Sequence, residues 1–480
     1  MEKKKKISLS SFSILFIILL LLALISIVLA GQPFDPALLT TTDTVAKVIP
    51  ASLSTIVMAP FNGFKDAIEI CIFILMLGGY LSIVNKTGAL EAGIQSVVKK
   101  LKGNELIIIP ILMILFSIGG STFGMAEETL PFYALLTSVM VVAGFDTIVS
   151  VGTVLLGSGA GVLGSTVNPF ATGVAMDALT AINIETNAGI VIGIGIALWL
   201  VTLLPFLYFV MSYAKRVKAD KGSTILSLQE QEDMNLEFRK KSSQEFSFTK
   251  KHKIVLILFG LSFLIMIVSL IPWQNFGITI FNGWTAVLTG NSFGEWYFGD
   301  LSMLFLIMGL VIAFVYRLKE RETISAFVAG ASDMLSVVLI IVVARGTSVL
   351  MASTHLDLLI LDRATMLLGG LSPILFIIGS FIVYFFLAFL IPSSSGLAYV
   401  TMPIMGGLAY EMGIAPEIMI MIFASTHGVI NLVSPTSGIL MGGLEMNKIE
   451  YATWIRFMRM PIFTILITNL AVLILSLYIL

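Results

Sequence analysis

The chain has 480 residues, 57% hydrophobic and 12% charged, with a formal net charge of −1. A soluble domain carries about 25% charged residues, so this composition excludes an ordinary water-soluble fold and predicts an all-α polytopic membrane protein. The single cysteine, Cys71, excludes an intrachain disulfide, and no P-loop, zinc or haem spacing occurs; an ATP-driven pump and a resident cofactor are therefore not expected.

In chain order, Lys3, Lys4, Lys5 and Lys6 precede an apolar run over 10–30. The run is longer than a signal-peptide core, so a retained first helix with cytoplasmic lysines is predicted. Further spans are expected near 65–85, 146–175 and 188–210. Between them, 105–143 forms a re-entrant hairpin that enters from the cytoplasm and turns at 119–124. The polar stretch 214–252 reads as a solvated linker. A joining helix, 253–272, follows. The second half repeats the scheme, with spans near 300–316, 324–352, 418–445 and 460–480. Its hairpin, 371–410, enters from outside and turns at 392–396. The two repeats are 1–213 and 273–480, and the odd joining helix inverts the second.

Charge supplies the orientation. Lys86, Lys99, Lys100, Lys102, Lys215, Arg317, Lys319, Arg321, Lys448, Arg456 and Arg459 mark a cytoplasmic face. The segments 31–60 and 272–299 carry almost no basic residues and read as external, with Trp273, Trp284 and Trp296 at the outer interface.

Paired motifs locate the site. Ser121-Thr122-Phe123-Gly124, Thr129 and Pro131 recur 272 positions later as Ser393-Ser394-Ser395-Gly396, Thr401 and Pro403. Gly63, Asp66, Gly79 and Thr87 match Gly330, Asp333, Gly346 and Thr354 at a spacing of 267. Val167 and Pro169 match Val433 and Pro435 at 266. Small insertions between helices account for the drift. Lipid tolerates broken helices only where protein or a cavity covers them, and matched breaks in two halves point to a transporter's binding site.

At each hairpin tip the outgoing helix presents free N–H groups and a positive dipole end, suited to a carboxylate. Ser121, Thr122, Ser393, Ser394 and Ser395 are candidate substrate contacts, or caps of their own helices. Pro169 removes a donor and pushes Asn168 from helical geometry. Asn431, Ser434 and Thr436 flank the matching break and join the candidate set with Asn168. Freed carbonyls near Gly164, Ser165, Thr166, Asn168, Val433 and Ser434 could hold Na⁺.

Glu127 and Glu128 follow the first tip, and carboxylates at membrane depth are usually functional. Adjacent residues point about 100° apart on a helix, so one of them is expected to meet a cationic group or carry a proton. The other reading is a structural partner for an arginine. Arg345 could clamp a carboxylate, pair with a glutamate, or snorkel; its half-one counterpart is Gly78. Asp66, Asp333 and Asp146 read as caps at helix starts. His427 reads as a neutral, hydrogen-bonded core histidine.

Four stretches carry a resemblance. They are Gly120-Ser121-Thr122-Phe123-Gly124-Met125-Ala126-Glu127-Glu128-Thr129, Gly164-Ser165-Thr166-Val167-Asn168-Pro169, Ile391-Pro392-Ser393-Ser394-Ser395-Gly396, and Ser434-Pro435-Thr436-Ser437-Gly438. Together they resemble the YfcC family of the ion transporter superfamily, related to ArcD-type basic amino-acid antiporters and DcuC-type C4-dicarboxylate carriers. The resemblance implies a dimerising scaffold and a mobile part built from two opposed hairpins and two unwound helices. It implies a multi-pass protein of the bacterial inner membrane, substrate between the tips, and Na⁺ or H⁺ as coupling ion. The expected function is secondary transport of a small charged metabolite, an amino acid of the arginine/ornithine type, with a C4-dicarboxylate as the alternative. A channel and an intramembrane enzyme fit the paired breaks less well, and no nucleic-acid partner is expected.

Overall fold

A backbone that crosses lipid must satisfy its own hydrogen bonds, and this chain does so with helices. The structure is a computed structural model describing residues 11–39, 45–90, 92, 93, 96, 104–239, 248–271 and 273–480. The expectations for Lys3–Lys6, Lys99, Lys100, Lys102 and the linker's 240–247 lie outside the described residues. Among those described, eight helices are long and apolar enough to cross a membrane.

The first is α1 (Ser11–Val28). Next come α2 (Leu53–Asp66) and α3 (Ile68–Lys86), which meet at a break on Ala67. Their counterparts are α12 (Glu320–Asp333) and α13 (Leu335–Thr354), broken at Met334. Every boundary of the first pair recurs 267 positions later, to within one residue. The pairs pack head to tail, α2 on α13 and α3 on α12, an arrangement an inverted repeat accommodates. Glycines permit the approach. A Cβ on Gly63 would collide with the backbone at Arg345 and Gly346, and one on Gly330 with the backbone of Gly78.

Three sequence expectations change here. The span placed at 324–352 is a longer helix interrupted at Met334. Part of the segment read as external, 31–60, is helix α2. Asp66 and Asp333 end α2 and α12 rather than starting helices, because each helix begins well upstream, beyond Ser52 and Lys319. Asp146 does cap a helix start, accepting from the Val149 amide at 3.0 Å.

The hairpins follow. In the first half, α4 (Ile108–Phe123) and α5 (Leu130–Val142) flank a short non-α tip. A broken helix comes next: α6 (Thr147–Leu163, with a π turn at Gly152–Leu156) and, past a coil at 164–168 and a π turn at Pro169–Gly173, α7 (Val174–Thr180). The long α8 (Ala188–Ala219) closes the half. In the linker lies α9 (Leu228–Met234), and α10 (Lys250–Leu270) joins the halves. After α11 (Phe298–Tyr316) and the α12–α13 pair comes α14 (Leu356–Leu368), a helix the sequence reading did not place. Then come the second hairpin, α15 (Pro373–Leu390) and α16 (Ser394–Glu411), and the second broken helix, α17 (Pro416–Asn431) and α18 (Gly438–Met446). The chain ends in α19 (Tyr451–Ile479).

The broken helices interlock the halves. α6 packs on its own hairpin at α4, whereas α7 crosses to α16; α17 packs on α15, whereas α18 crosses to α5. Helices α8 and α19 also touch, and Thr202 donates to Asn469 at 3.0 Å across a separation of 267. The α4–α6 contact is glycine-dependent, since a Cβ on Gly161 would overlap the Ser117 carbonyl and the Ser121 amide. Backbone cannot yield as a side-chain end can, so Gly161→Val is expected to destabilise by at least about 3 kcal/mol. A thermal-shift measurement in detergent checks this; an unchanged melting temperature would mean the two helices are not in contact there.

The linker is less solvated than its composition suggests. Glu230 on α9 is buried and accepts from the Ser227 amide, the Glu450 amide and the Thr453 hydroxyl, at 2.6, 2.9 and 3.2 Å. Its carboxylate caps the N-terminus of α19, where the helix dipole favours negative charge. Thr224 and Tyr213 both donate to Asp146, at 2.6 Å each. Trp296 is also buried, donating to the Asn291 carbonyl, while Trp284 is exposed as an interfacial residue should be.

Candidate functional site

The two hairpin tips are built differently. In the first, Ser121 and Thr122 lie in the last turn of the incoming helix α4. Gly124 then takes a left-handed conformation (φ 76°), and its missing Cβ leaves room for the Asn168 side chain. Glu127 and Glu128 start the outgoing segment. In the second tip α15 ends at Leu390, and the serines begin the outgoing helix. Ser393 caps it, accepting from the Gly396 amide at 3.2 Å, and Ser394 and Ser395 occupy its first turn.

The incoming helices end at Phe123 and Leu390, again 267 apart. Counted from those helix ends, Glu127 and Glu128 stand where Ser394 and Ser395 stand in the second half. One tip offers two carboxylates; the other offers hydroxyls and free amides at a helix N-terminus.

Both tips face one cavity. Of the residues expected at a site, the cavity wall holds Glu127, Glu128, Asn168, Arg345, Ser393, Ser394, Ser395 and Asn431. Gly124, His427, Ile70, Phe170, Tyr297 and Phe298 also line it.

Four expected contacts are directed elsewhere. Ser121 is buried and shares a hydrogen bond with Thr166 at 3.0 Å, and Thr122 donates to the Ile118 carbonyl of its own helix at 2.7 Å. Ser434 and Thr436 bond to each other at 2.6 Å, and Thr436 reaches the Phe389 carbonyl at 2.8 Å. The matching contact in the first half is Thr166 to the Ser121 carbonyl, at 3.1 Å. In each half a threonine of the broken helix thus pins the end of the incoming hairpin helix.

Some of the oxygens near the breaks are engaged by protein donors. Ser165 donates to the Val162 carbonyl at 2.6 Å and accepts from Asn168 at 3.0 Å. The Val433 carbonyl accepts from the Tyr451 hydroxyl at 2.6 Å.

The remaining wall is specific in its chemistry. Glu128 is buried, and its carboxylate accepts from the Ala126 amide at 2.9 Å. Arg345 reaches the wall from α13, with Asp66 at 3.8 Å from its guanidinium. His427 Nε2 lies 3.0 Å from the Pro392 carbonyl. A carbonyl only accepts, so Nε2 carries a proton and Nδ1 is free to accept from Asn431, 3.2 Å away. The histidine thereby fastens α17 to the second tip. Phe170 and Tyr297 meet edge-on at 5.3 Å between ring centres and wall the cavity beside α11. Phe170 adjoins the Asn168-Pro169 break, a usable sequence signal. Tyr297 has no such signal, because it sits in a loop that only the fold brings to the tips.

The family model for the C4-dicarboxylate anaerobic carrier, DcuC, matches residues 9–478. An uncharacterized protein of Haemophilus influenzae is 32% identical over 403 residues, 82% of this chain and 73% of that one. The Escherichia coli K12 protein named "Putative basic amino acid antiporter YfcC" is 27% identical over 414 residues, 83% of this chain and 76% of that one. Among solved structures, the Alcanivorax borkumensis YdaH transporter superposes with a TM-score of 0.48 at 15% identity, covering 96% of this chain and 97% of its own. Neisseria gonorrhoeae MtrF, described within a class of antimetabolite efflux pumps, gives 0.45 at 19% identity, covering 99% and 96%. With the family model matching almost the whole sequence, the chain belongs to the DcuC family of membrane transporters, and it is a carrier rather than an enzyme.

Proposed function

We propose that the protein is a secondary active carrier for a basic amino acid of the arginine or ornithine type, working by exchange or ion coupling with elevator-like alternating access. One observation carries the reading: the cavity is chemically polarised. Two carboxylates line the first tip, and a serine-capped helix N-terminus lies at the second, with Arg345 on the wall. An α-carboxylate suits the amides and the guanidinium; a cationic side chain suits Glu127 and Glu128. The wall holds two carboxyl groups and one guanidinium, which suits a substrate that carries a cationic group as well as a carboxylate.

The family model's description favours a second reading, a C4-dicarboxylate carrier. In the proposed setting the protein lies in a bacterial inner membrane with its N-terminus in the cytoplasm. There α2–α3 and α11–α13 form a dimeric scaffold against which the hairpins and broken helices move.

Counterflow in proteoliposomes tests the substrate. Loaded arginine or ornithine should drive uptake of labelled arginine, and succinate should not. Counterflow with succinate and none with arginine would replace the first reading by the second.

A further inference from the structure

We infer that the cleft between the end of α3 and the start of α12 binds the phosphate headgroup of an anionic membrane phospholipid. Lys86, Lys319 and Arg321 converge on this cleft, with Ser82, Asn85 and Ser325 as neutral donors and Glu322 as its one acid. The cleft is open along one side. All three cations are exposed, and none has an ion-pair partner among the described residues. An arginine fork and two ammonium groups around a concave surface are what a phosphodiester requires. Beyond the charged end, Ile324 and Val328 are each 56% exposed on α12, an apolar wall against which an acyl chain can lie.

The inverted repeat supplies an internal control. The same helix junction recurs at the opposite face, between the start of α2 and the end of α13. There the positions of Lys319, Arg321, Glu322 and Lys86 are Ser52, Ser54, Thr55 and Ser353. The fold therefore does not need charge at this junction. It carries cations only on the basic face, the cytoplasmic one in the proposed orientation, where anionic headgroups are met. The inference is independent of the transported substrate.

Native mass spectrometry of the full chain, titrated with phosphatidylglycerol or cardiolipin against phosphatidylcholine, tests it. The wild-type protein should retain the anionic lipids in preference. The Lys86→Gln/Arg321→Gln double variant should bind them roughly 25-fold more weakly, each cation contributing about a factor of five. Lys448→Gln, on a lysine that pairs with Glu445, should leave retention unchanged. Equal retention by the double variant, or an equal loss in Lys448→Gln, would overturn the site. Displacement of the lipid by millimolar inorganic phosphate would assign the cleft to a free anion and overturn the lipid proposal.

Discussion

Glu127→Gln and Glu128→Gln are each expected to lower arginine or ornithine counterflow about 100-fold. Truncating one partner of a desolvated charge pair costs about 2–5 kcal/mol, and a carboxamide keeps the shape while removing the charge. The fold should survive. The Ala126 amide that Glu128 accepts can bond the glutamine carbonyl equally well. Initial rates in proteoliposomes, with reconstitution matched by quantitative blotting, give the measurement. Undiminished rates in both variants would remove the first tip from substrate recognition. A variant that loses arginine counterflow but gains succinate uptake would show that charge balance alone selects the substrate class.

Arg345→Gln is expected to raise the KM for arginine about 30-fold while changing protein stability little. A charge-assisted hydrogen bond to a carboxylate contributes about 1.5–3 kcal/mol. The repeat explains why stability is spared: the equivalent position in the first half is Gly78, so the helix crossing does not require a guanidinium there. Asp66, at 3.8 Å and half exposed, orients the side chain without burying it. Agmatine, which is arginine without its carboxylate, separates the roles. If Arg345 meets the carboxylate, the substitution should penalise arginine and leave the weak binding of agmatine unchanged. An equal loss for both would assign Arg345 to holding the cavity's shape.

The tips show how one local motif serves two different helix ends. Ser121-Thr122-Phe123 and Ser393-Ser394-Ser395 look like copies, yet one closes an incoming helix and the other opens an outgoing one. Hydroxyl residues serve both ends, by donating to a carbonyl one turn back or by capping amides one turn ahead. Composition alone does not separate the two uses. Helix ends do: Phe123 closes one helix, whereas Ser394 opens the other.

Legible from residues alone were the membrane class, the two hairpins, the two broken helices and the glutamates of the first tip. Each rests on short-range physics: apolar runs long enough to span lipid, Gly and Pro that cannot continue a helix, and charge too costly to bury without purpose. The packing of α2 against α13, the docking of Glu230 on α19, and the arrival of Tyr297 beside Phe170 were decided only by tertiary structure. So was the turning of Ser121 and Thr436 away from the cavity that Ser394 and Arg345 line. A side chain's direction depends on which neighbour takes its hydrogen bond, and those neighbours stand tens to hundreds of positions away along the chain.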